Sequence, residues 1–542
     1  RAGIVETATS SAVVAAESVA PLTLARSADL IADPASVAAL ALEDRIANLF
    51  AEDAASPSEI EALLSFYAER AFEPLWTDDA GLTPTAARIG DWLSTAADDG
   101  LDPAAYPMPR LSRLRARNAD IRAKAEVAIA LSVIRYADHA QAGTLRPQDV
   151  SRIIDVTVAR PDPRATLDAV ATAEDPALAL DAFNPPHAGY RALRKALITM
   201  NEAREIPVVE VPPGRTLRRG IADPRVTLLR ERLGVLEQGD SNDTEAVFDE
   251  TLESAVRAFQ AENGLLADGI VGPRTLAALN GSAGARRESI IANMERWRWL
   301  PRDLGTRYVH VNIPEYRVWM MEPDGDAGYE ASYTGRVVVG KPKNATPIFS
   351  DEIEHVVTNP YWNVPYSIAS GEMLPKLKRD PGYYAKRGYD TISASGKIVN
   401  PYNVNWNAIS ARRLGYRFRQ RPGRNNALGN VKFLFPNDHA VYLHDTNARS
   451  LFSRSQRAFS HGCVRLHEPF VFAEALLASE PKFSAGSLKR SLGGKERWFN
   501  TTDHIPVHIT YFTVVADESG ELDFAGDIYG IDRQTQRLMG LI

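Results

Sequence analysis

The spacing of apolar residues changes from a helical to a strand period along the chain. In the first 200 residues Leu, Phe, Ile and Ala recur every three or four positions, clearly so in residues 59–76 and 121–141, which predicts amphipathic helices. In residues 308–321 and 440–443 apolar residues follow the two-residue period of strands, which predicts strands with one buried face. The pattern therefore predicts a multi-domain α+β protein.

Breaks in these patterns divide the chain into regions. We expect a flexible segment at 1–45, an all-helical scaffold domain at 46–212 completed by a helix at 285–300, a small three-helix domain at 217–280, and a β-rich domain at 301–542. A stretch at about 372–430, rich in Tyr, Arg, Asn and Gly, interrupts the strand pattern. Long insertions of this kind are typical of lids over a site. The alternative interpretation, a solvated loop on the surface, stays open.

Length and charge restrict the class of protein. The 542 residues are several times a typical domain of roughly 100–200 residues. The formal net charge of −7 argues against a general polyanion binder, so we expect no nucleic-acid partner. The sequence has no uninterrupted apolar run of about 18 residues, the length that indicates a membrane span. The first residue is an arginine and the start is rich in Ala, Ser and Val, which favours a processed or truncated chain, and a removed signal peptide would fit this start.

The single cysteine, Cys463, lies in the string FSHGCVRLH at 459–467. A free thiol has a pKa near 8.5, so a nucleophilic cysteine needs a base or a nearby positive charge. His444, nineteen positions earlier at the end of the strand-like string AVYLHDT, is the candidate base, and Arg465 is a nearby cation. A lone cysteine can also be an inert buried hydrophobe, so residue chemistry alone leaves both readings open.

Longer strings indicate a family. The string SHGCVRL at 460–466, with a histidine about nineteen residues before the cysteine, resembles the signature of L,D-transpeptidases. The strings FYAERAFEPLW, NMERWRWLP, VNIPEYRVW, NPYWNVP and YFTVVADESGELDFAGDIYGID are similar to the larger multi-domain members of Gram-negative bacteria. Residues 248–280 resemble the peptidoglycan-binding-like three-helix domain. The resemblance covers roughly residues 59–530 and implies a catalytic domain at 301–542 with a capping insertion.

The resemblance implies a role for each site residue. Carried over by position, it makes Cys463 the nucleophile and His444 its base. The orienting partner of His444 stays open, because the adjacent Asp445 offers either its carboxylate or its backbone carbonyl. Backbone N–H groups around His461, Gly462 and Cys463 are expected to face the oxyanion, since Gly462 lets the main chain approach the substrate.

Four further side chains have two open interpretations each. Arg465 is expected to hold a substrate carboxylate or to brace the active-site loop. Tyr442 and Trp362 are expected to line the peptide groove or to pack in the core. His461 is expected to be an orienting or structural group. No cofactor and no metal are expected.

The implied reaction is acyl transfer between peptidoglycan tetrapeptide stems, which serve as donor and acceptor. The thiolate attacks the carbonyl of the third residue, the terminal D-Ala leaves, and a neighbouring amine resolves the thioester into a 3-3 cross-link. The resemblance further implies a role in cell shape, acylation by carbapenems, and a periplasmic location, with an anchor in the inner membrane through an N-terminal segment absent from this chain. Other cell-wall enzymes or an envelope protein are additional expected partners.

Several alternatives use the same residues differently. An L,D-carboxypeptidase would hydrolyse the thioester, and a tethering enzyme would pass it to an envelope protein. A non-catalytic wall-binding protein would need no reactive thiol. A zinc site built from His439, His444, His461, Cys463 and His467 is disfavoured because the chain has no second cysteine and no His-Glu-x-x-His string. A sortase-like enzyme is disfavoured because the Thr-Leu-x-Thr-Cys pattern is missing.

Overall fold

The computed structural model describes residues 37–202, 209–235, 247–262, 267–280, 283–325, 328–516 and 520–542. The chain divides into two compact units, one containing the chain up to residue 86 with residues 108–131, and the other containing residues 87–107 and 132–542. Residues 1–36 of the segment expected to be flexible lie outside the described residues. Helix α1 begins at Val37, so the expected boundary at residue 45 falls within this helix. None of the helices in the described ranges is long and apolar enough to cross a membrane.

The first unit is mainly helical. Its elements are α1 (Val37–Leu49), α2 (Pro57–Ala68), β1 (Thr77–Asp78), β2 (Gly81–Leu82), the start of α3 (Pro84–Ser94), α4 (Arg113–Ala116) and the first half of α5 (Ala119–Ala142). Ser56 and Glu59 form a capping box at the start of α2, which satisfies two otherwise unpaired N–H groups. The buried Glu126 carboxylate accepts hydrogen bonds from Tyr67 Oη at 2.9 Å and Thr77 Oγ1 at 2.7 Å. These bonds join α5 to α2 and β1.

The second unit begins with further helices. They are α6 (Pro147–Val150), α7 (Pro163–Thr172), α8 (Pro176–Asp181) and α9 (Ala188–Glu202). Two of them start alike, because Asp162 and Asp175 accept from backbone N–H groups of the first turn and a proline follows each. Proline suits the first turn of a helix, where its missing N–H would have no partner.

The small domain has the three helices that the apolar spacing predicts. They are α10 (Arg225–Arg232), α11 (Glu250–Glu262) and α12 (Pro273–Asn280). Val226 and Leu229 of α10 pack with Leu252 and Val256 of α11 in one fully buried cluster. Helix α13 (Ala283–Trp297) follows, and its buried apolar face packs against α9. The predicted combination of helical regions and a β-rich region is confirmed.

The β-rich region is built around a nine-stranded sheet. Its strands are β3 (Tyr308–Asn312), β4 (Arg317–Asp324), β5 (Gly328–Gly340), β6 (Phe349–Thr358), β11 (Val431–Leu434), β12 (Leu443–His444), β13 (Ala458–Ser460), β14 (Val464–Leu466) and β15 (Arg497–Thr510). Their order is β13-β5-β14-β12-β11-β6-β15-β3-β4, and β4 also pairs with β5, so the sheet closes on itself. Helices α16 (Pro469–Leu476) and α17 (Ala485–Arg490) contribute to the same apolar core. Closure leaves fewer exposed strand edges.

The chain between β6 and β11 forms a capping segment, residues 362–420, with its own core. It contains β7 (Trp362–Asn363), α14 (Tyr366–Ile368), α15 (Leu374–Arg379), β8 (Tyr389–Ser393), β9 (Ile398–Val399) and β10 (Tyr416–Gln420). These strands form a second sheet in the order β7-β10-β8-β9, whereas the sequence pattern predicted irregular chain. The pattern is hidden because β8 buries Asp390, which pairs with Arg419 and Arg421, instead of an apolar residue.

The chain ends with a short hairpin and a helix. They are β16 (Val514–Ala516), β17 (Leu522–Phe524) and α18 (Ile531–Leu538). Residues 507–510, which precede the hairpin, belong to β15, which pairs with β3 and β6. The hairpin itself pairs residues 514–516 with 522–524, and residues 517–519 at its turn lie outside the described residues.

Candidate active site

Strands β11, β12 and β14 lie side by side and carry different residues on their two faces. One face supplies fully buried apolar side chains to the core, namely those of Phe433, Leu443 and Val464. The opposite face carries Lys432, His444 and Arg465, which are neighbours in register across the three strands. Residues paired in register point to the same side of a sheet. We call this second face the polar face.

The structure brings four of the predicted site residues together on the polar face. Cys463 immediately precedes β14, and its neighbour Val464 donates to the backbone carbonyl of Tyr442 at 3.2 Å. Tyr442 is two residues before His444, so both share one face, and their rings meet edge to face at 5.7 Å. Arg465 is two residues after Cys463 and lies beside His444. Residues nineteen or more positions apart thus form one cluster.

The His444 ring is fixed by a backbone carbonyl. His444 is buried, and its Nδ1 donates to the carbonyl oxygen of Asp445. Burial, with the positive charges of Arg465 and Lys432, lowers the pKa of His444 from 6.5 to about 3. The ring is therefore neutral near pH 7. Because Nδ1 carries the hydrogen, Nε2 has the lone pair that can accept a proton.

The Asp445 side chain serves a different purpose. Its carboxylate accepts from the backbone N–H groups of Asn430 at 2.8 Å and Thr446 at 2.7 Å, and from Arg449 at 2.6 Å. Gly429 allows this approach, since a Cβ there would lie 2.3 Å from the carboxylate and its φ is +59°. Of the two orienting interactions that the sequence left open, the structure has the backbone carbonyl.

The active-site loop, residues 460–463, is closed by a serine hydroxyl. Buried Ser460 donates from Oγ to the carbonyl of Cys463 at 2.6 Å and accepts from the N–H of Gly462 at 3.1 Å. Gly462 has a φ of +122°, a conformation that only glycine adopts without strain. Thr346 Oγ1 donates to the carbonyl of Gly462 at 2.7 Å. The loop backbone is therefore held from two sides.

A tyrosine pair from the C-terminal part of the chain supports Thr346. Tyr529 Oη accepts from the N–H of Thr346 at 3.1 Å and donates to the carbonyl of Gly340 at 2.6 Å. The Tyr511 ring stacks on Tyr529, and Tyr511 Oη accepts from the N–H of Tyr529 at 2.8 Å. Sequence reasoning missed these residues. For Ser460, Tyr511 and Tyr529 a signal existed, because each stands inside one of the quoted strings, but no local pattern marks Thr346.

The Cys463 thiol is neutral in this arrangement. Its Sγ lies 3.8 Å from the carbonyl oxygen of Ala440, to which it donates. Burial raises the pKa of Cys463, although hydrogen bonding from Tyr442 and the charge of Arg465 act in the opposite direction. The thiol with a raised pKa and the imidazole with a lowered pKa on the same sheet face are therefore both uncharged, and the resting site holds no preformed thiolate and imidazolium.

Arg465, His461 and Trp362 differ in what they contact. Arg465 is half-buried, burial lowers its pKa, and no described carboxylate forms an ion pair with it. His461 Nε2 donates to Glu372 of the capping segment at 2.6 Å, and Lys341 Nζ lies 3.3 Å from the same nitrogen. Trp362 is on β7, where the centre of its ring lies 6.1 Å from the centre of the Tyr389 ring, edge to face. The capping segment thus touches the active-site loop through Glu372.

Across the described ranges, no group of three or more His, Cys, Asp or Glu side chains is placed to hold a metal ion. The arrangement instead offers a thiol, a neutral imidazole, a phenol and two cations on one sheet face. Such a set suits nucleophilic acyl transfer on an anionic substrate.

Comparison with known proteins relates three regions of the chain to known domain families. Residues 61–197 match the model of a scaffold domain, residues 222–279 that of a "Putative peptidoglycan binding domain", and residues 306–478 that of the L,D-transpeptidase catalytic domain. A protein of Haemophilus influenzae named "Putative L,D-transpeptidase" is 35% identical over 252 residues, which cover 46% of this chain and 48% of that protein. The match spans about half of the relative's length. These matches support an L,D-transpeptidase family member.

Solved structures of lower similarity are also found. An L,D-transpeptidase of Xylanimonas cellulosilytica is 16% identical, with a TM-score of 0.17, and the match covers 56% of this chain and all of that one. L,D-transpeptidase 3 of Mycobacterium tuberculosis is 10% identical, with a TM-score of 0.18, and the match covers 38% of this chain and 61% of that one. Similarity at this level says nothing about the roles of individual residues.

Proposed function

We propose that the protein is a peptidoglycan L,D-transpeptidase that forms 3-3 cross-links through a thioester on Cys463, with His444 as base. The observation that carries this proposal is the neutral His444 on the same sheet face as Cys463, with Nδ1 bonded to the Asp445 carbonyl and Nε2 left to accept a proton. The match of residues 306–478 to the L,D-transpeptidase catalytic domain supports the same chemistry.

In the proposed acylation, the Cys463 sulfur attacks the carbonyl carbon of the third, L-centred residue of a tetrapeptide stem. His444 Nε2 takes the thiol proton as the carbon–sulfur bond forms. The N–H of Cys463 stabilises the oxyanion, because the N–H of Gly462 is bonded to Ser460 in the resting site. The bond to the terminal D-Ala then breaks, and His444 returns the proton to the departing amine.

In the proposed second step, an amine of a neighbouring stem attacks the thioester carbon. His444 takes a proton from this amine, a carbon–nitrogen bond forms, and the carbon–sulfur bond breaks. The departing thiolate recovers its proton from His444. The raised pKa of Cys463 makes the thiolate a strong base, so this return of the proton restores the uncharged resting pair.

We propose that other residues position the peptide. Arg465, which has no carboxylate partner among the described residues, holds a carboxylate of the donor stem. Tyr442 donates to the sulfur and lines the groove beside it, since hydrogen bonding between these two side chains affects both of their pKa values. Trp362 lines the groove from the capping segment. His461 links the active-site loop to that segment through Glu372.

The capping segment has a chemical purpose in this proposal. Water that reached the thioester would release a trimmed tripeptide instead of a cross-link. A covering segment with its own apolar core and a contact to the active-site loop reduces access of water to the acyl-enzyme. The small three-helix domain, which matches a peptidoglycan-binding model, holds the enzyme on its polymeric substrate.

Peptidoglycan-acting domains suggest an extracytoplasmic location, and we propose the periplasm. Donor and acceptor partners are the tetrapeptide stems of peptidoglycan. By the same route, Cys463 would be acylated by carbapenems, whose strained amide presents a carbonyl to the thiol.

Product analysis tests this function. Disaccharide-tetrapeptide is incubated with wild type and with Cys463→Ala, and the products are identified by mass spectrometry. We expect wild type alone to form a dimer that has lost one D-Ala. Tripeptide without dimer would identify an L,D-carboxypeptidase. No product, together with retained binding to sacculi, would indicate a wall-binding protein and overturn the proposal.

A further inference from the structure

Lys432 is a cation on the polar face that the mechanism above does not use. It lies on β11 directly opposite His444 in register, about 5 Å away at the level of the main chain. Arg465 occupies the corresponding position on β14, on the other side of His444. Both cations lower the pKa of His444. The proposed base is therefore flanked by one positive charge on each side.

The surroundings of Lys432 do not neutralise its charge. Its Nζ lies 5.8 Å from the ring centre of Tyr442 and 5.5 Å from that of Trp498. No described carboxylate forms an ion pair with it. Glu496 is near enough to raise its pKa, but Glu496 Oε1 accepts from the N–H of Tyr361 at 2.8 Å. Burial has the larger, opposite effect and lowers the pKa of Lys432.

A half-buried ammonium without a carboxylate partner is costly for a protein to keep. Aromatic rings stabilise such a cation only partly. In a structural role it would normally carry an acidic partner, as Lys489 does with Glu474 at 2.6 Å in the same domain. The unpaired charge beside the base therefore indicates a site for an anion.

We propose that Lys432 binds the carboxylate of the acceptor and thereby selects an α-amino acid centre over water for attack on the thioester. This inference rests on the proposed function. In the free end of a diaminopimelate side chain, and in a free amino acid, the nucleophilic amine and a carboxylate are bonded to the same carbon. A carboxylate held at Lys432 places that amine next to His444, which takes its proton as the carbon–nitrogen bond forms.

In this proposal the two cations act in different steps of the reaction. Arg465 is next to Cys463 in the chain and serves the donor during acylation, whereas Lys432 lies on the far side of His444 and serves the acceptor. Loss of Lys432 should therefore leave formation of the acyl-enzyme close to wild type. It should lower transfer of the thioester to an amine relative to its hydrolysis, because water has no carboxylate that Lys432 could hold.

The test measures the ratio of transfer to hydrolysis. The donor is a tetrapeptide stem whose diaminopimelate amine is acetylated, so that it cannot act as acceptor, and the added acceptor is free D-methionine. We expect Lys432→Met to lower the ratio of D-methionine product to tripeptide by about tenfold, the size expected for one charge-assisted hydrogen bond. Lys432→Arg should keep most of the ratio.

Two controls make the result specific. D-methioninol carries the same amine without the carboxylate, so wild type and Lys432→Met should give equal ratios with it. Lys397→Met, at an exposed site on the capping segment, should match wild type with both acceptors. The acylation rate of each variant, measured on the same donor, reports whether its site is intact.

Three outcomes would overturn the inference. The ratio with D-methionine could be unchanged in Lys432→Met, both products could fall equally, or the ratio could fall as far with D-methioninol. The last two would make Lys432 a support for His444. Wild type that forms no acyl-enzyme from this donor would overturn the proposed function, and this inference with it. If wild type forms the acyl-enzyme normally, a negative result with the variants counts only against the role of Lys432 and leaves the proposed function in place.

Discussion

The two faces of strands β11, β12 and β14 differ although their residues alternate along the same short segments. Phe433, Leu443 and Val464 on the core face are fully buried among other apolar side chains. Lys432, His444 and Arg465 on the polar face are also wholly or partly buried, yet they have few compensating partners. Both faces are thus buried, but only the core face consists of apolar side chains.

The difference separates stability from function. Burying apolar surface stabilises a fold, so the apolar side chains of the core face are accounted for by their contribution to stability. Burying charges or a neutral histidine opposes folding unless hydrogen bonds or counter-ions compensate. The polar face therefore carries groups that the fold tolerates and does not need. Substitutions on the two faces should affect different measurements, and this can be tested residue by residue.

The largest expected effect is on the polar face, at His444. His444→Gln should lower the rate of acyl-enzyme formation by about 10²- to 10⁴-fold, because general-base catalysis contributes factors of this size. Its denaturant midpoint should stay near that of wild type. Rapid-quench mass spectrometry and urea unfolding measure the two quantities. A slow variant that is also strongly destabilised would mean that the two faces are not separable.

The next effect is on the core face, one residue away. Leu443→Ala should lower the free energy of unfolding by about 2–5 kcal/mol, since Leu443 is fully buried and truncation leaves a cavity. Its acylation rate per folded molecule should fall far less than in His444→Gln. Leu114→Ala, at a leucine that is 80% exposed, should change stability by less than about 0.5 kcal/mol. Equal effects of the two leucine variants would contradict the assignment of the core face.

The smallest effect is a change of pH profile. The charge of Arg465 lowers the pKa of both Cys463 and His444. Its removal in Arg465→Met should therefore raise both pKa values. The rate of Cys463 alkylation by iodoacetamide should shift to higher pH, and the acid limb of acylation should move from about 3 toward 6.5, the ordinary histidine value.

Arg412→Met, at an exposed arginine of the capping segment, is the matched control for this measurement and should leave both profiles in place. A shift of the Arg465→Met alkylation profile to lower pH would contradict the account of the site's electrostatics. An inflection of the wild-type alkylation rate at acidic pH would also contradict it, because that inflection would indicate a preformed thiolate on Cys463.

Much of the architecture follows from local patterns. The apolar spacing of α10 and α11 placed Val226, Leu229, Leu252 and Val256 in one core, where they lie. The string around Cys463 led to the family, which the catalytic-domain match supports. These features could be predicted because each depends on neighbours within a few residues, where period and motif are visible.

Other features depend on pairing between distant strands. Lys432 has no local mark, and only the register of β11 with β12 places it beside His444. Tyr529 reaches the active-site loop through Thr346, more than 180 residues away in sequence. The capping sheet was missed because Asp390 is buried as part of an ion-pair network with Arg419 and Arg421, so its strand shows no apolar alternation.

The most direct test of the central claim is the mass of the protein after exposure to the donor with its acetylated amine. We predict that wild type gains the mass of one acyl-tripeptide, that peptide mapping places it on Cys463, and that Cys463→Ala gains nothing. Release of D-Ala without any adduct on Cys463, or an adduct that persists in Cys463→Ala, would contradict the account.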